Sequence, residues 1–218
     1  MPKPLLYYVR HGETDWNRAG RLQGQRDTLL NARGREQAAA CGEILRGIFE
    51  ESGIDPAALD YISSPLIRAR ETMEGMRAPL GLPPAAYRIE PRLAEMSFGD
   101  WEGLTLAEVS VRDPDALAAR ERDKWAFVPP NGESYQQLAV RVGEWYEALR
   151  RDSVVASHGG TMRALMVHLG IETPANAAPD RRAGRGLSVG AWRRADGCRA
   201  RSGAGVRRHL SRRRLAVQ

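Results

Sequence analysis

Residues 5–14 read LLYYVRHGET. The first five of them form an unbroken apolar run that ends at a charged turn, Arg10-His11, which is typical of a strand buried on both faces. Strands of this kind belong to parallel sheets that helices cover. The stretch therefore predicts an α/β fold whose first strand ends in an arginine and a histidine.

Further strands and helices alternate along the chain. Residues 60–63 and 153–157 read as short strands, and residues 33–49, 134–150 and 161–169 read as helices. Ser134 and Gln137 have capping-box spacing, and Ser64-Pro65 reads as an N-cap followed by proline at the first helical position. The pattern predicts a three-layer α/β/α domain over residues 1–180, with a mixed, mainly parallel sheet and a cap inserted at about 96–134.

The positive charge of the chain is confined to its end. Of 33 Lys and Arg and 27 Asp and Glu, residues 181–218 hold 12 Arg and one acid, which leaves 21 cations and 26 acids in residues 1–180. The body is thus acidic, and nucleic-acid binding is not expected of it. A partner of that class would bind only through the arginine-rich segment, with strong salt dependence.

Residues 181–218 are compositionally unusual, because they contain 6 Gly and 6 Ala beside the arginines and no Lys. A GC-rich coding sequence translated out of frame gives this composition, so one hypothesis is a frameshift near Asp180. The other is a genuine basic extension, disordered or bound to a partner. Residues 186–192 could supply a last strand, and no second strand is expected.

The apolar stretches and the cysteines indicate where the protein is located. Its apolar run near the start is too short for a signal peptide or a membrane span, and no other uncharged stretch is long enough. The two cysteines, Cys41 and Cys198, have no spacing typical of metal ligands or of a disulfide framework. We therefore expect a cytoplasmic protein that does not contact a membrane.

Three predicted strand ends carry polar groups, and in such sheets ligands bind beyond the carboxyl ends of the strands. The third end leads directly into a helix whose N-terminal amides would face the same crevice. Arginine forks suit phosphate oxygens well. The three ends predict an anion pocket, and they contribute Arg10 and His11, then Ser63, Ser64 and Arg68, then His158, Gly159 and Gly160.

The same residues offer no metal chemistry. The pocket has no acidic cluster, no HxH or HExxH spacing and no Walker lysine motif. A histidine among arginines is placed instead for nucleophilic attack on phosphorus, because the cations stabilise the charge on the equatorial oxygens. We expect no metal and no cofactor.

At these residues the sequence resembles the histidine phosphatase superfamily, which is phosphoglycerate-mutase-like. The matching pieces follow one another in family order across roughly residues 5–170. They are RHGETDWN at 10–17, GRLQG at 20–24, SSPLIRARET at 63–72, LAEMSFGDWEG at 93–103, GES at 132–134 and SHGG at 157–160.

The resemblance implies a role for each matched residue. His11 would be the nucleophile that carries the phosphoryl group. The phosphate oxygens would be held by Arg10, Arg68 and His158. Three groups would lie near the transferred group or the substrate: the side chains of Asn17 and Gln23 and the amide of Gly159.

Glu95 would be the acid and base of a two-step displacement, protonating the leaving oxygen and then deprotonating the attacking water. Two other carboxylates of the matching motifs are alternatives for this role, Glu102 and Glu13. Glu13 reads instead as a residue that ties the loop after the first strand to its neighbours. The catalytic residues implied are thus His11, Glu95 and His158.

The motifs favour a phosphatase over a mutase. Cofactor-dependent phosphoglycerate mutases show Thr-Gly-Trp where this chain has LQG at 22–24, and Glu-Arg-His-Tyr where it has EMSF at 95–98. Their paired arginines ahead of the Pro-Pro segment are absent before Pro129-Pro130. The prediction is a phosphomonoester phosphatase for a small phosphorylated metabolite. The alternatives are a mutase and a non-catalytic phospho-ligand binding protein, and the oligomeric state is not predicted.

Overall fold

The computed structural model describes residues 4–177, together with the backbone of two strands at 188–192 and 215–216. Helices and strands alternate along most of this length. The strands are β1 Leu6–Arg10, β2 Asp60–Ser63, β3 Arg88–Ile89, β4 Ser153–Ser157, β5 Ser188–Trp192 and β6 Leu215–Ala216. The helices are α1 Asp15–Ala19, α2 Ala32–Ser52, α3 Ile67–Arg77, α4 Leu106–Arg112, α5 Pro114–Arg122, α6 Tyr135–Glu147, α7 Gly159–His168 and α8 Pro174–Ala177.

The strands form one sheet in the order β3-β2-β4-β1-β5-β6. Strands β3, β2, β4 and β1 are parallel to one another, and β5 pairs antiparallel with both β1 and β6. The architecture is the mixed, mainly parallel α/β sheet that the alternation of elements predicts.

The first strand separates two apolar cores. Leu6 and Tyr8 pack with α6 and α7 on one face, whereas Tyr7 and Val9 pack with α2 and α3 on the other. All four side chains are at most 3% exposed. Successive residues of a strand point to opposite faces, so a strand covered on both sides must be apolar throughout.

The register of the strands places the loops that follow β1, β2 and β4 next to one another. Arg10 pairs with Ser157, and Ser63 pairs with Ala156, so all three strands end side by side. The chain then leaves the sheet at His11, whose amide donates to Ser157 O at 2.9 Å. The residues that follow each strand therefore meet at one edge of the sheet.

Helix α3 corrects one prediction. It begins at Ile67 with Leu66 at the N-cap position and no side-chain cap, and not at Ser64-Pro65. The Ser64 hydroxyl instead contacts a histidine, His158, which lies 94 residues further along the chain. The predicted capping box at the start of α6 is confirmed, because Ser134 and Gln137 bond each other's backbone amides.

The arginine-rich segment lies largely outside the described residues. Ser188–Trp192 forms the strand that residues 186–192 suggested. The expectation of no second strand is wrong, because Leu215–Ala216 pairs with it. The frameshift and basic-extension hypotheses concern residues outside the described ranges, and the domain boundary at residue 180 stays a prediction.

Residues 96–134, expected to form a cap, contain the short helices α4 and α5 and a 3-10 turn at Gly99–Trp101. The backbone of this region is hydrogen-bonded to the loop between α1 and α2. Leu22 N donates to Leu104 O at 2.8 Å, and Gly103 N donates to Leu22 O at 2.7 Å. Among the helices of the described ranges, none has the length and apolar character needed to cross a membrane.

Candidate active site

Two histidine rings face each other where the central strands end. His11 follows β1 and His158 follows β4, and their ring centroids are 5.2 Å apart at an interplanar angle of 58°. His11 is 5% exposed and His158 is fully buried. The neighbouring strands thus place both predicted histidines in one small space.

Hydrogen bonding fixes the tautomer of His11. Its Nδ1 lies 2.7 Å from the Gly12 carbonyl oxygen. A carbonyl can only accept, so Nδ1 carries the proton and Nε2 keeps its lone pair in the neutral ring. Burial, followed by the charges of Arg68 and Arg10, holds the pKa of His11 well below its usual range. The ring is therefore neutral, with Nε2 available as a nucleophile, at neutral pH.

His158 is oriented through its other nitrogen. Its Nε2 lies 2.7 Å from Ser64 Oγ, and that oxygen accepts from the Leu66 amide at 3.3 Å. The hydroxyl proton is therefore free to go to Nε2, which leaves the proton of the neutral ring on Nδ1. The buried Nδ1 has no hydrogen-bond partner in the described part of the chain. Burial, followed by the charge of Arg68, keeps the pKa of His158 well below its usual range.

Arg68, which is fully buried, lies one helical turn beyond β2. Its guanidinium donates to Gly24 O at 2.7 Å and to Arg26 O at 2.9 Å, while its Nε has no partner within residues 4–177. No carboxylate of that range forms a salt bridge with it. Burial lowers the pKa of Arg68 to about 10, against the opposing charge of Glu95. A buried cation without a counterion is stabilised by a bound anion.

Arg10 is the second arginine of this group. Burial, and then the charge of Arg163, lower its pKa from the usual value, and Glu95 acts in the opposite direction. Both predicted phosphate-binding arginines are thus close to the same carboxylate. The cluster of His11, His158, Arg10 and Arg68 is a desolvated cationic pocket.

Glu95 binds the N-terminus of α7. Its carboxylate accepts from the amides of Gly160 at 3.0 Å and Thr161 at 3.1 Å, and also from Met96 N at 2.9 Å. This corrects the expectation that these amides face the anion pocket, because the carboxylate occupies two of them. The amide of Gly159 has no acceptor among residues 4–177.

Glu102 and Glu13, the two alternatives for the general acid, have surroundings that differ from those of Glu95. Glu102 Oε1 accepts from Gln25 N at 2.9 Å and from Phe98 N at 3.2 Å, so it joins the first loop to the cap. Glu13 Oε1 accepts from the Asn31 side chain at 2.9 Å, just where α2 begins. Both carboxylates hold loops together.

Gln23 and Asn17 both lie in the segment between β1 and α2, and the side-chain amide oxygen of each already accepts hydrogen bonds. Gln23 Oε1 accepts from the hydroxyls of Thr28 at 2.6 Å and Thr14 at 3.0 Å. Asn17 Oδ1 accepts from the Thr14 amide at 3.2 Å, as part of the capping box of α1. Each side chain therefore presents its NH₂ group, which can only donate.

Sequence reasoning missed the contributions of Arg163, Tyr135 and Arg141. Arg163 lies one turn after Gly159 on α7, and its Nε and Nη2 donate to Tyr135 Oη at 3.2 and 2.7 Å. Arg141 forms a two-bond pair with Glu133 at 2.7 and 2.8 Å and also donates to Glu95 O at 3.1 Å. The four-residue spacing between Gly159 and Arg163 was a usable signal, since such residues share a helix face.

None of these groups forms a metal site. Across the described ranges, no set of three or more His, Cys, Asp or Glu side chains lies close enough to hold a metal ion. The chemistry that the arrangement offers on its own is anion binding beside a neutral imidazole and a carboxylate.

Sequence and structure comparisons agree on the relatives of this chain. A curated relative, glucosyl-3-phosphoglycerate phosphatase of Mycobacterium tuberculosis strain H37Rv, is 37% identical over 178 residues, which are 75% of this chain and 74% of that protein. A 2,3-bisphosphoglycerate-dependent phosphoglycerate mutase of Methylobacterium radiotolerans is 35% identical over 173 residues, covering 76% of this chain and 78% of the mutase.

A solved structure of mycobacterial glucosyl-3-phosphoglycerate phosphatase superposes with a TM-score of 0.67 at 31% identity, covering 86% of this chain and 90% of that one. The sequence pattern of the histidine phosphatase superfamily (branch 1) matches residues 6–193. The chain belongs to the histidine phosphatase superfamily.

Proposed function

We propose that this protein is a metal-independent phosphomonoester phosphatase that acts on a small phosphorylated metabolite and carries the phosphoryl group on His11. The observation that supports this most strongly is the tautomer of His11. Its Nδ1 proton is held by Gly12 O, so the Nε2 lone pair is available beside the buried cations Arg10 and Arg68. A neutral nucleophile beside buried cations suits attack on a phosphate dianion.

In the first step, His11 Nε2 attacks phosphorus and the bond to the leaving oxygen breaks. Arg10 and Arg68 neutralise the phosphoryl oxygens, and the Nδ1 proton of His158 is directed to one of them. Glu95 gives a proton to the leaving oxygen, so that an alcohol departs rather than an alkoxide. Pre-positioned charges lower the barrier because they need no reorganisation during the reaction.

In the second step, a water molecule attacks the phosphohistidine. Glu95, now a carboxylate, removes a proton from the water, the P–N bond breaks and inorganic phosphate leaves. The same residue is then ready for the next turnover. Its contacts with the amides of Gly160 and Thr161 hold the carboxyl group in place.

The cap at about residues 96–134 selects the substrate in this proposal, because its backbone is bonded to the loop that carries Gln23. Residues 1–180 form the phosphatase domain. The absence of a disulfide-type cysteine pattern supports a cytoplasmic location.

A phosphoglycerate mutase is the second candidate, because a mutase is 35% identical to this chain. The departures from the mutase motifs at residues 22–24 and 95–98, and the missing arginine pair before Pro129, support the phosphatase instead. A mutase must return the phosphoryl group to its substrate, whereas a phosphatase gives it to water.

The test is hydrolysis of p-nitrophenyl phosphate in the presence of EDTA by the wild type and by His11→Ala. Hydrolysis that persists in EDTA and is lost in the variant is expected. A folded wild type without activity would count against the phosphatase. Incubation with 3-phosphoglycerate separates the two candidates, since a phosphatase releases inorganic phosphate and a mutase forms 2-phosphoglycerate.

A further inference from the structure

The side chain of Arg163 extends back along α7 towards the phosphate pocket. A Cβ atom placed on Gly159 would lie 3.4 Å from Arg10 Nε and 3.5 Å from Arg163 Nη1, so the two guanidinium groups flank the same point. Helical side chains lean towards the N-terminus of their helix, which explains why Arg163 reaches the turn before it. A third cation therefore borders the pocket.

Arg163 keeps part of its hydrogen-bonding capacity unused. Its Nε and Nη2 donate to Tyr135 Oη, while Nη1 has no acceptor among residues 4–177. Arg163 is half-buried, so part of it is accessible to solvent. A ligand that enters the pocket can therefore contact Nη1.

Tyr135 supplies a second donor at the same place. Its oxygen accepts two bonds from Arg163, so its own proton points elsewhere, and no described group accepts it. Its ring stacks on Trp125 with centroids 5.9 Å apart and an interplanar angle of 10°, which fixes the position of the hydroxyl. Arg163 Nη1 and the Tyr135 hydroxyl thus form a rigid pair of unused donors.

We infer that Arg163 and Tyr135 form a carboxylate subsite beside the phosphate pocket, so that the preferred substrate is a phosphorylated carboxylic acid. This inference rests on the proposed function, because the phosphate must occupy the pocket of Arg10 and Arg68. A carboxylate accepts well from a guanidinium and a phenol together, and it is held without the second cluster of cations that another phosphate would need. The phosphoglycerate named in two relatives has this chemistry.

The test uses two substrates that differ at a single group. 3-Phosphoglycerate carries a carboxylate where sn-glycerol 3-phosphate carries a hydroxymethyl group. We expect wild-type kcat/KM to favour 3-phosphoglycerate by about ten- to hundredfold, which is what one hydrogen bond to a charged group contributes. In Arg163→Met the ratio of the two kcat/KM values should fall towards one, mainly through KM for 3-phosphoglycerate.

Three further variants make the result specific. Tyr135→Phe keeps the ring and its stacking on Trp125, and it should lower the ratio by a smaller factor even if Arg163→Met folds poorly. Arg163→Lys retains the charge and should restore part of the ratio. Arg33→Met, at an exposed position on α2, is the matched control and should leave the ratio unchanged.

The outcomes separate the two proposals. Equal wild-type kcat/KM values, or a ratio that Arg163→Met and Tyr135→Phe leave unchanged, would overturn the subsite while His11-dependent hydrolysis still supports the phosphatase. Hydrolysis of p-nitrophenyl phosphate alone, with neither glycerol-based substrate turned over, would also overturn it. Loss of hydrolysis of every substrate by folded wild type would overturn the proposed function itself.

Discussion

Replacing Gly160 with alanine should disable Glu95 without harming the helix that carries residue 160. A Cβ on Gly160 would overlap Glu95 Oε1, so the carboxylate must leave the amides of Gly160 and Thr161. Alanine otherwise favours a helix over glycine by about 0.5–1 kcal/mol. The change therefore moves one catalytic group and should not lower the stability of the helix.

The size of the effect follows from the role proposed for Glu95. A hydrogen bond to a charged group contributes about 1.5–3 kcal/mol, so loss of either amide contact is enough to displace the carboxylate. General acid catalysis contributes about 10²–10⁴-fold. We expect kcat/KM for sn-glycerol 3-phosphate to fall within that range. The value for p-nitrophenyl phosphate should fall less, because p-nitrophenolate leaves without protonation.

The assay compares kcat/KM for both substrates in wild type, Gly160→Ala and Gly47→Ala, with thermal unfolding to show that each variant is folded. Gly47→Ala is the matched control, because a Cβ at this position of α2 would meet nothing within 4 Å. A folded Gly160→Ala with wild-type kcat/KM on sn-glycerol 3-phosphate would refute the assignment of Glu95.

Other consequences of the structure can be measured separately. Glu102→Ala should lower the free energy of unfolding by about 1–3 kcal/mol, because it removes the acceptor of the Gln25 and Phe98 amides, and it should retain most of kcat. A loss of activity matching that of Glu95→Ala would contradict the assignment. Arg141→Met loses the hydrogen bond to Glu95 O and should lower kcat about tenfold or more with little change in KM, because a small misplacement of the general acid slows the reaction strongly. An effect on KM alone would argue against this role. Because the pKa values of His11 and His158 are lowered on folding, the unfolded chain binds more protons below about pH 6.5. Stability should then fall as pH drops below that value, and urea unfolding of wild type and His11→Asn should show a weaker pH dependence in the variant.

The sequence predicted the part of the site that lies at strand ends. Parallel strands end at one edge, so residues that follow buried runs must meet there, as His11 and His158 do. Arg68, one helical turn beyond the second strand, could be placed by the same reasoning. Local patterns were sufficient because neighbouring strands fix these positions.

Groups held by distant contacts could not be placed in this way. Ser64 has the local pattern of an N-cap, but its hydroxyl bonds His158 in the tertiary structure. Glu95 lies in a loop-rich stretch, and its position depends on the amides of α7, some 65 residues later in the chain. Arg163 could have been noticed from its helical spacing, whereas its pairing with Tyr135 depends on how α6 packs against α7.

The most direct test of the account is to trap the phosphorylated enzyme. Wild type is mixed with a labelled phosphomonoester, quenched in alkaline detergent because phosphohistidine is acid-labile, and mapped by mass spectrometry. The account predicts one acid-labile phosphoryl group on His11, formed and lost at rates that support turnover and absent in His11→Ala. Phosphorylation at His158, or turnover without any phosphorylated enzyme, would contradict it.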